Sequence, residues 1–249
     1  MEEKKNRIEI IDSLRGLAVV LMVIHHLLYN FVAFLGAPVW LFSNPVFDIL
    51  HYIFAGLFIF LSGVSSRFSR DNIKRGSIVI VIAVVLITYV TVRITNTPIW
   101  FGILHLLGFS MLFYGLTCRF WNTIPNKLAP LIFIPLIIIS AVARDSAQLT
   151  SETAWIRDLL WILGWRQPGL RSFDYFPILP WVFVFLLGTW AGRSILERRL
   201  PVWFYEAKCP FFPSVGRKAL IIYVLHQPVL YPIVLGIEYL MGVFSRTMS

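Results

Sequence analysis

Long apolar runs constrain this chain more than any other feature of its sequence. A helix that crosses a bilayer needs about 20 mostly apolar residues. Several runs contain Gly or Pro, which membrane helices tolerate where packed neighbours satisfy the freed backbone groups. Seven stretches qualify, at residues 12–34, 46–66, 76–95, 98–118, 128–143, 177–196 and 218–244. We therefore predict an all-α, multi-pass transmembrane helical bundle of about seven helices, forming a single domain over residues 1–249.

Composition excludes most soluble alternatives. Of the 249 residues, 58% are hydrophobic and only 14% are charged, whereas a soluble domain has about 25% charged residues. The net charge of +9 comes from short basic clusters between apolar runs. A nucleic-acid-binding protein needs a basic face on a folded soluble domain, and these clusters do not form one. We therefore expect the chain to contact membrane lipid and not to bind nucleic acid.

The distribution of Lys and Arg predicts the orientation. Cytoplasmic loops of membrane proteins carry an excess of these residues. If the N-terminus is cytoplasmic, sixteen of the 22 Lys and Arg residues fall on the inner side. The first apolar run is too long for a signal peptide, and we expect it to stay as the first membrane helix. We predict a multi-pass protein of the cell membrane with its N-terminus in the cytoplasm.

The longest predicted outer segment, residues 144–174, contains a short apolar stretch, TAWIRDLLWILGW. This stretch is too short to span a bilayer and is rich in Trp, which favours an interfacial or re-entrant position. It could cover an outward-facing cavity as a lid, or it could serve only as an interfacial anchor.

Polar residues of the first helix fall on one stripe. His26 follows Arg15 by eleven residues, which at 100° per residue places it about 20° from the same face and about 16 Å further along the axis. Asp12 shares that face approximately, whereas His25 is turned about 80° away. Asp12 and Arg15 could form an ion pair with a purely structural role. Burial disfavours a charged imidazolium, so a neutral His26 could accept a proton.

All five histidines lie within or at the edge of predicted membrane helices. Ionisable groups at that depth are costly and are functional candidates, although a lone membrane histidine is more often a helix–helix hydrogen-bonding residue. His51 opens the second helix near the outer surface, His105 lies in the fourth helix, and His226 precedes Pro228 in the last helix. The histidines lack the close spacing of metal ligands, and Cys118 and Cys209 form no metal or disulfide framework, so we expect no metal.

Five segments in order carry a resemblance to a known family. They are DSLRGLAVVLMVIHHLLY, FAGLFIFLSGVSSRFSR, IWFGILHLLGFSMLFYG, DYFPILPWVFVFLLGTWAG and GRKALIIYVLHQPVLYP. Together they resemble the short bacterial branch of the heparan-α-glucosaminide N-acetyltransferase catalytic-domain family, within the wider transmembrane acyltransferases. The resemblance runs from about residue 7 to residue 240.

The resemblance implies transfer of an acetyl group from cytosolic acetyl-CoA, as co-substrate, to an amino or hydroxyl group of an outer-side sugar or glycan. In similar acyltransferases, an Arg at the start of the first helix and a His eleven residues later are essential, and that pattern matches Arg15 and His26. The lysosomal member of the family is similar in its first helix, but its essential histidine lies in the lumenal loop that follows this helix. At that place this chain has His51. The catalytic base is therefore either His26 or His51, with Asp12, His105 and His226 as supporting candidates.

The inner basic residues are chiefly topology determinants, and the resemblance implies that some of them bind the phosphates of acetyl-CoA. The candidates are Arg67, Arg70, Lys74, Arg75, Arg217 and Lys218. Similar enzymes form dimers, which leaves a homodimer open.

Two other functions fit the same residues. Intramembrane His and Asp residues beside a proline-containing helix also suit a small-solute or proton-coupled transporter. An inactive family member with a structural role is the third alternative.

Overall fold

The computed structural model describes residues 8–94, 98–146, 160–165, 172 and 174–247, and within these the chain is helical, with one isolated bridge between Phe101 and Tyr175. The predicted all-α class is confirmed. The helices are α1 (Glu9–Phe34), α2 (Pro45–Arg67), α3 (Asn72–Ile82), α4 (Val90–Ile94), α5 (Ile103–Trp121), α6 (Ala129–Ser146), α7 (Ile178–Leu196), α8 (Val202–Glu206), α9 (Phe212–Arg217) and α10 (Ala219–Thr247).

Six segments of the described chain are long and apolar enough to cross a membrane. They are Glu9–Phe34, Val39–Arg67, Asn72–Arg93, Ile103–Trp121, Ile178–Leu196 and Ala219–Gly242. The fifth predicted stretch is α6, whose apolar part, Ala129–Arg144, is shorter than these six. The number of membrane helices is therefore close to the predicted seven, and the cytoplasmic N-terminus stays a prediction.

Large apolar side chains on the outside of the helices are consistent with a lipid environment. Val81, Ile139 and Ile221 are about 60% exposed, with 59%, 62% and 60% of their surfaces accessible. Soluble proteins seldom leave such patches uncovered. In lipid these side chains meet a solvent as apolar as themselves.

The chain divides into two compact units. The first contains Met1–Phe58 and Pro201–Ser249, and the second contains Ile59–Leu200. The single domain expected over residues 1–249 stays a prediction.

In the first unit, α1 packs directly against the backbone of α9. A Cβ atom on Gly16 would collide with the carbonyl oxygen of Phe212, and one on Gly216 would collide with the carbonyl oxygen of Asp12. Helices in membranes approach this closely only where small residues remove the side chains between them. Val19, three residues after Gly16 on the same side of α1, is 1% exposed, so this face of the helix stays buried beyond the contact.

In the second unit, α2 and α7 meet through another pair of glycines. A Cβ atom on Gly63 would collide with the carbonyl oxygen of Phe185, and one on Gly188 would collide with that of Phe60. Phe185 itself is fully buried. Close backbone contact therefore holds these two helices in one register.

The third predicted stretch is not a uniform α-helix. A π-helical segment, Ala83–Tyr89, joins α3 to α4. Its Thr88 hydroxyl donates to the carbonyl of Ile99, at 2.6 Å. Hydropathy does not distinguish π from α geometry, which explains why the sequence predicted one regular helix over 76–95.

Part of the Trp-rich segment that was predicted to lie on the outer side is anchored at the start of α7. The Tyr175 hydroxyl donates to the carbonyl of Trp161, and the backbone N–H of Ile178 donates to the carbonyl of Ile162 at 2.9 Å. Residues 147–159 and 166–171 lie outside the described residues, and with them most of the predicted lid or anchor.

Gly63 provides a direct test of the close packing. Replacing Gly63 by Ala should destabilise the protein by about 1–3 kcal/mol, because the added methyl group forces α2 away from α7. Gly236→Ala on α10 is the matched control, since a Cβ there meets nothing within 4 Å. Thermal unfolding in detergent, followed by circular dichroism, measures both variants; equal midpoints for the two would contradict this packing.

Candidate functional site

The ion pair expected near the start of α1 is present. Arg15 Nη1 donates to Asp12 Oδ1 at 3.0 Å, and both side chains are largely buried. The backbone carbonyl of Asp12 is the group in contact with Gly216. The pair therefore lies where α1 packs against α9.

Four of the five histidines form one row in the first unit. The centroid of the His26 ring lies 4.9 Å from that of His226 and 5.7 Å from that of His25, and the His25 centroid lies 4.4 Å from that of His51. The order is therefore His51, His25, His26, His226, and we call this set the imidazole row. It joins α1 to both α2 and α10, with His26 at 7% exposure near its centre.

One face of α1 carries the contacts with α10. Asn30, which is 2% exposed, donates from Nδ2 to Gln227 Oε1 at 3.2 Å. One turn further along, the ring of Phe34 meets that of Tyr231 edge-on at 5.2 Å. Residues His26, Asn30 and Phe34 are spaced by four, so they lie on one side of the helix. Polar and aromatic pairs on this face set the register between α1 and α10.

A backbone carbonyl of α10 orients His226. Its Nδ1 lies 2.5 Å from the carbonyl oxygen of Tyr223, which can only accept a hydrogen bond, so Nδ1 carries the proton. The neutral ring then has its lone pair on Nε2. This buried Nε2 has no hydrogen-bond partner among the described residues. A nitrogen presented in this way is suited to accept a proton from a substrate.

The structure brings His26 and His51, the two alternatives for the catalytic base, into the same row. The His25 ring lies between them, although the sequence analysis placed His25 off the helix face shared by Arg15 and His26 and did not include it among the candidates. It is turned away from that stripe toward α2, where His51 lies. The sequence contained one indication of this role, because His25 is adjacent to His26. The pattern of one helix does not show which other helix packs against each of its faces.

His105 lies in the second unit and has a separate network. The backbone N–H of Gly102 donates to its Nδ1 at 3.2 Å, and its Nε2 lies 3.0 Å from Thr88 Oγ1. Because the Thr88 hydroxyl donates to Ile99, Nε2 is the donor in this contact. Both ring nitrogens are thus used to join the start of α5 to the π-helical segment, and the predicted role of His105 in orienting substrate stays a prediction.

Arg67 lines a pocket in the second unit. Its Nη1 donates to the Tyr114 hydroxyl at 2.9 Å and to Asn122 Oδ1 at 2.5 Å. Arg193 and Trp190 of α7 line the same pocket. We call this the two-arginine pocket. Arg193 was absent from the sequence-based candidates, because it was interpreted only as a topology determinant.

The other basic candidates are more exposed. Arg70, Lys74 and Arg75 surround the start of α3 in the second unit, whereas Arg217 and Lys218 lie at the junction of α9 and α10 in the first. Within the described ranges, no three His, Cys, Asp or Glu side chains come together in a way that could hold a metal ion.

Glu197 fixes Arg193 at the edge of the two-arginine pocket. Arg193 Nε donates to Glu197 Oε1 at 3.0 Å, while Arg199 Nε and Asn126 Nδ2 lie 2.7 Å and 2.8 Å from Oε2. The hydrogen bond from Arg193, followed by the positive charge of Arg199, lowers the pKa of Glu197 below its ordinary value of 4.5. The carboxylate therefore stays ionised at neutral pH and holds the guanidinium in place.

The lowered pKa of Glu197 makes its contribution dependent on pH. A carboxyl group with a lower pKa in the folded state stabilises the fold above its unfolded pKa, and this contribution disappears as the pH falls through the folded pKa. Glu197→Gln should therefore lower the unfolding temperature at pH ~7 but not at pH ~3. Glu206→Gln on α8 is the control. An equal loss for Glu197→Gln at both pH values would contradict the ionic origin.

Comparison with known proteins identifies the family of this chain. The family model described as heparan-alpha-glucosaminide N-acetyltransferase, catalytic, matches residues 7–228. The matched range includes Arg15, the two-arginine pocket and the entire imidazole row. No curated protein and no solved structure gives a significant match. The chain belongs to the heparan-alpha-glucosaminide N-acetyltransferase catalytic-domain family.

Proposed function

We propose that this protein is an integral membrane acetyltransferase. It moves an acetyl group from acetyl-CoA at the cytoplasmic face to an amino or hydroxyl group of a sugar or glycan at the outer face. Family membership supports acetyl transfer within a membrane protein. The observation that carries the proposal is the contact of His26 with His226, whose Nε2 presents its lone pair inside an apolar bundle.

The donor is anionic and needs cationic partners on the inner side. Arginine side chains form strong, charge-assisted hydrogen bonds with phosphate oxygens. Arg67 and Arg193 supply two guanidinium groups in one pocket, and Trp190 adds an aromatic surface beside them. Within the second unit, Arg70, Lys74 and Arg75 add further positive charge, and we assign the phosphates of acetyl-CoA to this set together with Arg67 and Arg193. Within the first unit, Arg217 and Lys218 are a separate alternative for the same phosphates.

The acyl end of the donor reaches the row along α1. Arg15 lies about 16 Å from His26 along the helix axis, at about 1.5 Å per residue. In the proposed path, the pantetheine arm follows this side of α1 past Arg15. The Asp12 carboxylate holds the Arg15 guanidinium in its position.

The chemical step needs a base near the acceptor. The His26–His226 pair takes a proton from the acceptor amine or hydroxyl through an unprotonated ring nitrogen. The acceptor atom then attacks the thioester carbonyl carbon, a C–N or C–O bond forms, the C–S bond breaks, and the CoA thiolate becomes protonated to the thiol. The His25 ring separates His51 from the His26–His226 pair. In this scheme His26 and His226 therefore act as the bases, and His51 does not.

Binding of the donor can be tested without the acceptor. A ligand that binds only the folded state raises its stability by RT ln(1 + [L]/Kd), or about 2.7 kcal/mol at 100 times Kd. CoA at millimolar concentration should therefore raise the unfolding temperature of the wild type. Arg67→Gln should weaken this effect and raise Kd about tenfold or more, because it removes a charge-assisted contact.

Arg119→Gln is the matched control for donor binding. Arg119 is an exposed arginine at the end of α5, outside the two-arginine pocket, and its substitution should leave the CoA effect unchanged. If CoA does not stabilise the wild type, this result would contradict the proposed acetyltransferase function and favour the alternative, a membrane transporter.

Catalysis can be tested by removing either imidazole of the central pair. His26→Ala and His226→Ala should each lower the rate of acetyl transfer by about 10²–10⁴-fold, the usual contribution of a general base. Both variants should keep the thermal stabilisation by CoA. Leu225→Ala, at an exposed position of α10, is the control. Wild-type rates in both histidine variants would remove the pair from the mechanism.

A further inference from the structure

We infer that, for an amine acceptor of the kind the family name specifies, His25 and His51 carry a proton from the His26–His226 pair to the outer surface. This inference rests on the proposed function and concerns the part of the imidazole row that the chemical step leaves unused. No role in acetyl transfer described above requires His25, yet its ring lies between His26 and His51.

The chemistry of an amine acceptor creates a proton that has to leave. In water near neutral pH, an amino sugar is largely an ammonium ion. The balanced reaction is R–NH₃⁺ + acetyl–S–CoA → R–NH–acetyl + CoA–SH + H⁺. One proton of the ammonium goes to the imidazole pair before attack, and a second N–H proton passes to the thiolate as the C–S bond breaks. With a hydroxyl acceptor the single proton ends on the thiol, and none remains to export.

The geometry provides a continuous set of carriers. His25 meets His26 edge-on, with an angle of 86° between the ring planes and 5.7 Å between centroids, and the next interval, from His25 to His51, is 4.4 Å. In the proposed relay, the proton passes between neighbouring rings as they rotate. Chains of ionisable side chains of this kind serve as proton relays in membrane proteins.

The outer end of the relay is a carboxylate. Asp48 precedes His51 by three residues on α2, so the two lie on one face of that helix. Asp48 belongs to the first turn of α2 and is exposed. A proton that reaches His51 therefore has an acidic group one turn away, at the predicted outer surface.

Aromatic side chains pack around the His25 ring. Phe42 covers the His25 ring, with centroids 4.8 Å apart, and also packs against Tyr29 at 5.2 Å. The titratable groups around this path are His26 and Tyr29 from α1, Asp48, His51 and Tyr52 from α2, and His226 from α10.

The relay predicts both a rate and a direction for the proton. In liposomes loaded with acetyl-CoA, with glucosamine added outside, the wild type should release about one proton to the outer medium for each acetyl group transferred. His25→Gln and His51→Gln should each lower kcat by about 10–100-fold, with little change in KM for acetyl-CoA, because these residues assist proton transfer and do not bind the donor. Imidazole added to the outer medium should restore part of the rate.

Asp48→Asn, at an exposed position, should shift the pH profile of kcat.

Two variants separate loss of proton transfer from loss of packing. Phe42→Leu and Tyr52→Phe alter the neighbours of His25 and His51 without removing an imidazole, and both should retain the wild-type rate. Wild-type kcat and pH profile in His25→Gln and His51→Gln would overturn the relay and leave the acetyltransferase intact. Folded, CoA-stabilised histidine variants that imidazole does not rescue would also overturn it. A wild type that transfers acetyl to no acceptor would overturn the proposed function, and the relay with it.

Discussion

The contact between α1 and the pair α9–α10 determines the rest of the candidate site. Gly16 and Gly216 let the two backbones touch, which removes any freedom in the distance between these helices at that end. From there, the four-residue spacing of α1 brings His26 to His226, Asn30 to Gln227 and Phe34 to Tyr231 in turn. A bulkier residue at either glycine would separate the helices and break this sequence of pairs.

The buried polar side chains between α1 and α10 impose a second constraint on the structure. An apolar bundle in lipid offers no water to satisfy an amide or an imidazole, so polar groups there face protein or a cavity. Asn30 Nδ2 donates to Gln227 Oε1, and His226 Nδ1–H donates to the Tyr223 carbonyl. His226 Nε2 has no hydrogen-bond partner among the described residues, and the His226 ring lies 4.9 Å from that of His26. A buried polar atom without a protein partner costs free energy, and binding of a substrate would offset this cost.

The sequence was sufficient to predict the parts of the fold that depend on local patterns. The expected apolar stretches 12–34 and 177–196 agree closely with Glu9–Phe34 and Ile178–Leu196, because each is a long run with clear polar ends. The Asp12–Arg15 pair followed from a spacing of three on one helix. The π-helical segment did not, since it has the same hydropathy as an α-helix.

Contacts between helices were beyond this type of prediction. The angular position of His25 on α1 was available from the sequence, but the presence of α2 and His51 on that side was not. Arg193 was overlooked for the same reason, since its place beside Arg67 depends on the packing of α7. The orientation of His226 depends on one backbone carbonyl, which no sequence pattern identifies. The resemblance to the acyltransferases indicated Arg15 and His26, and the structure added the partners that surround them.

The central claim is that the acyl group of the donor reaches the imidazole pair of α1 and α10. A structure determined with a non-reactive thioether analogue of acetyl-CoA tests it most directly. The account predicts that the carbon in place of the thioester carbonyl lies within about 4 Å of the His26 or His226 ring, leaving room for an acceptor atom within hydrogen-bond reach of that ring. An acyl end that lies at the inner surface, or against lipid away from both rings, would contradict the account.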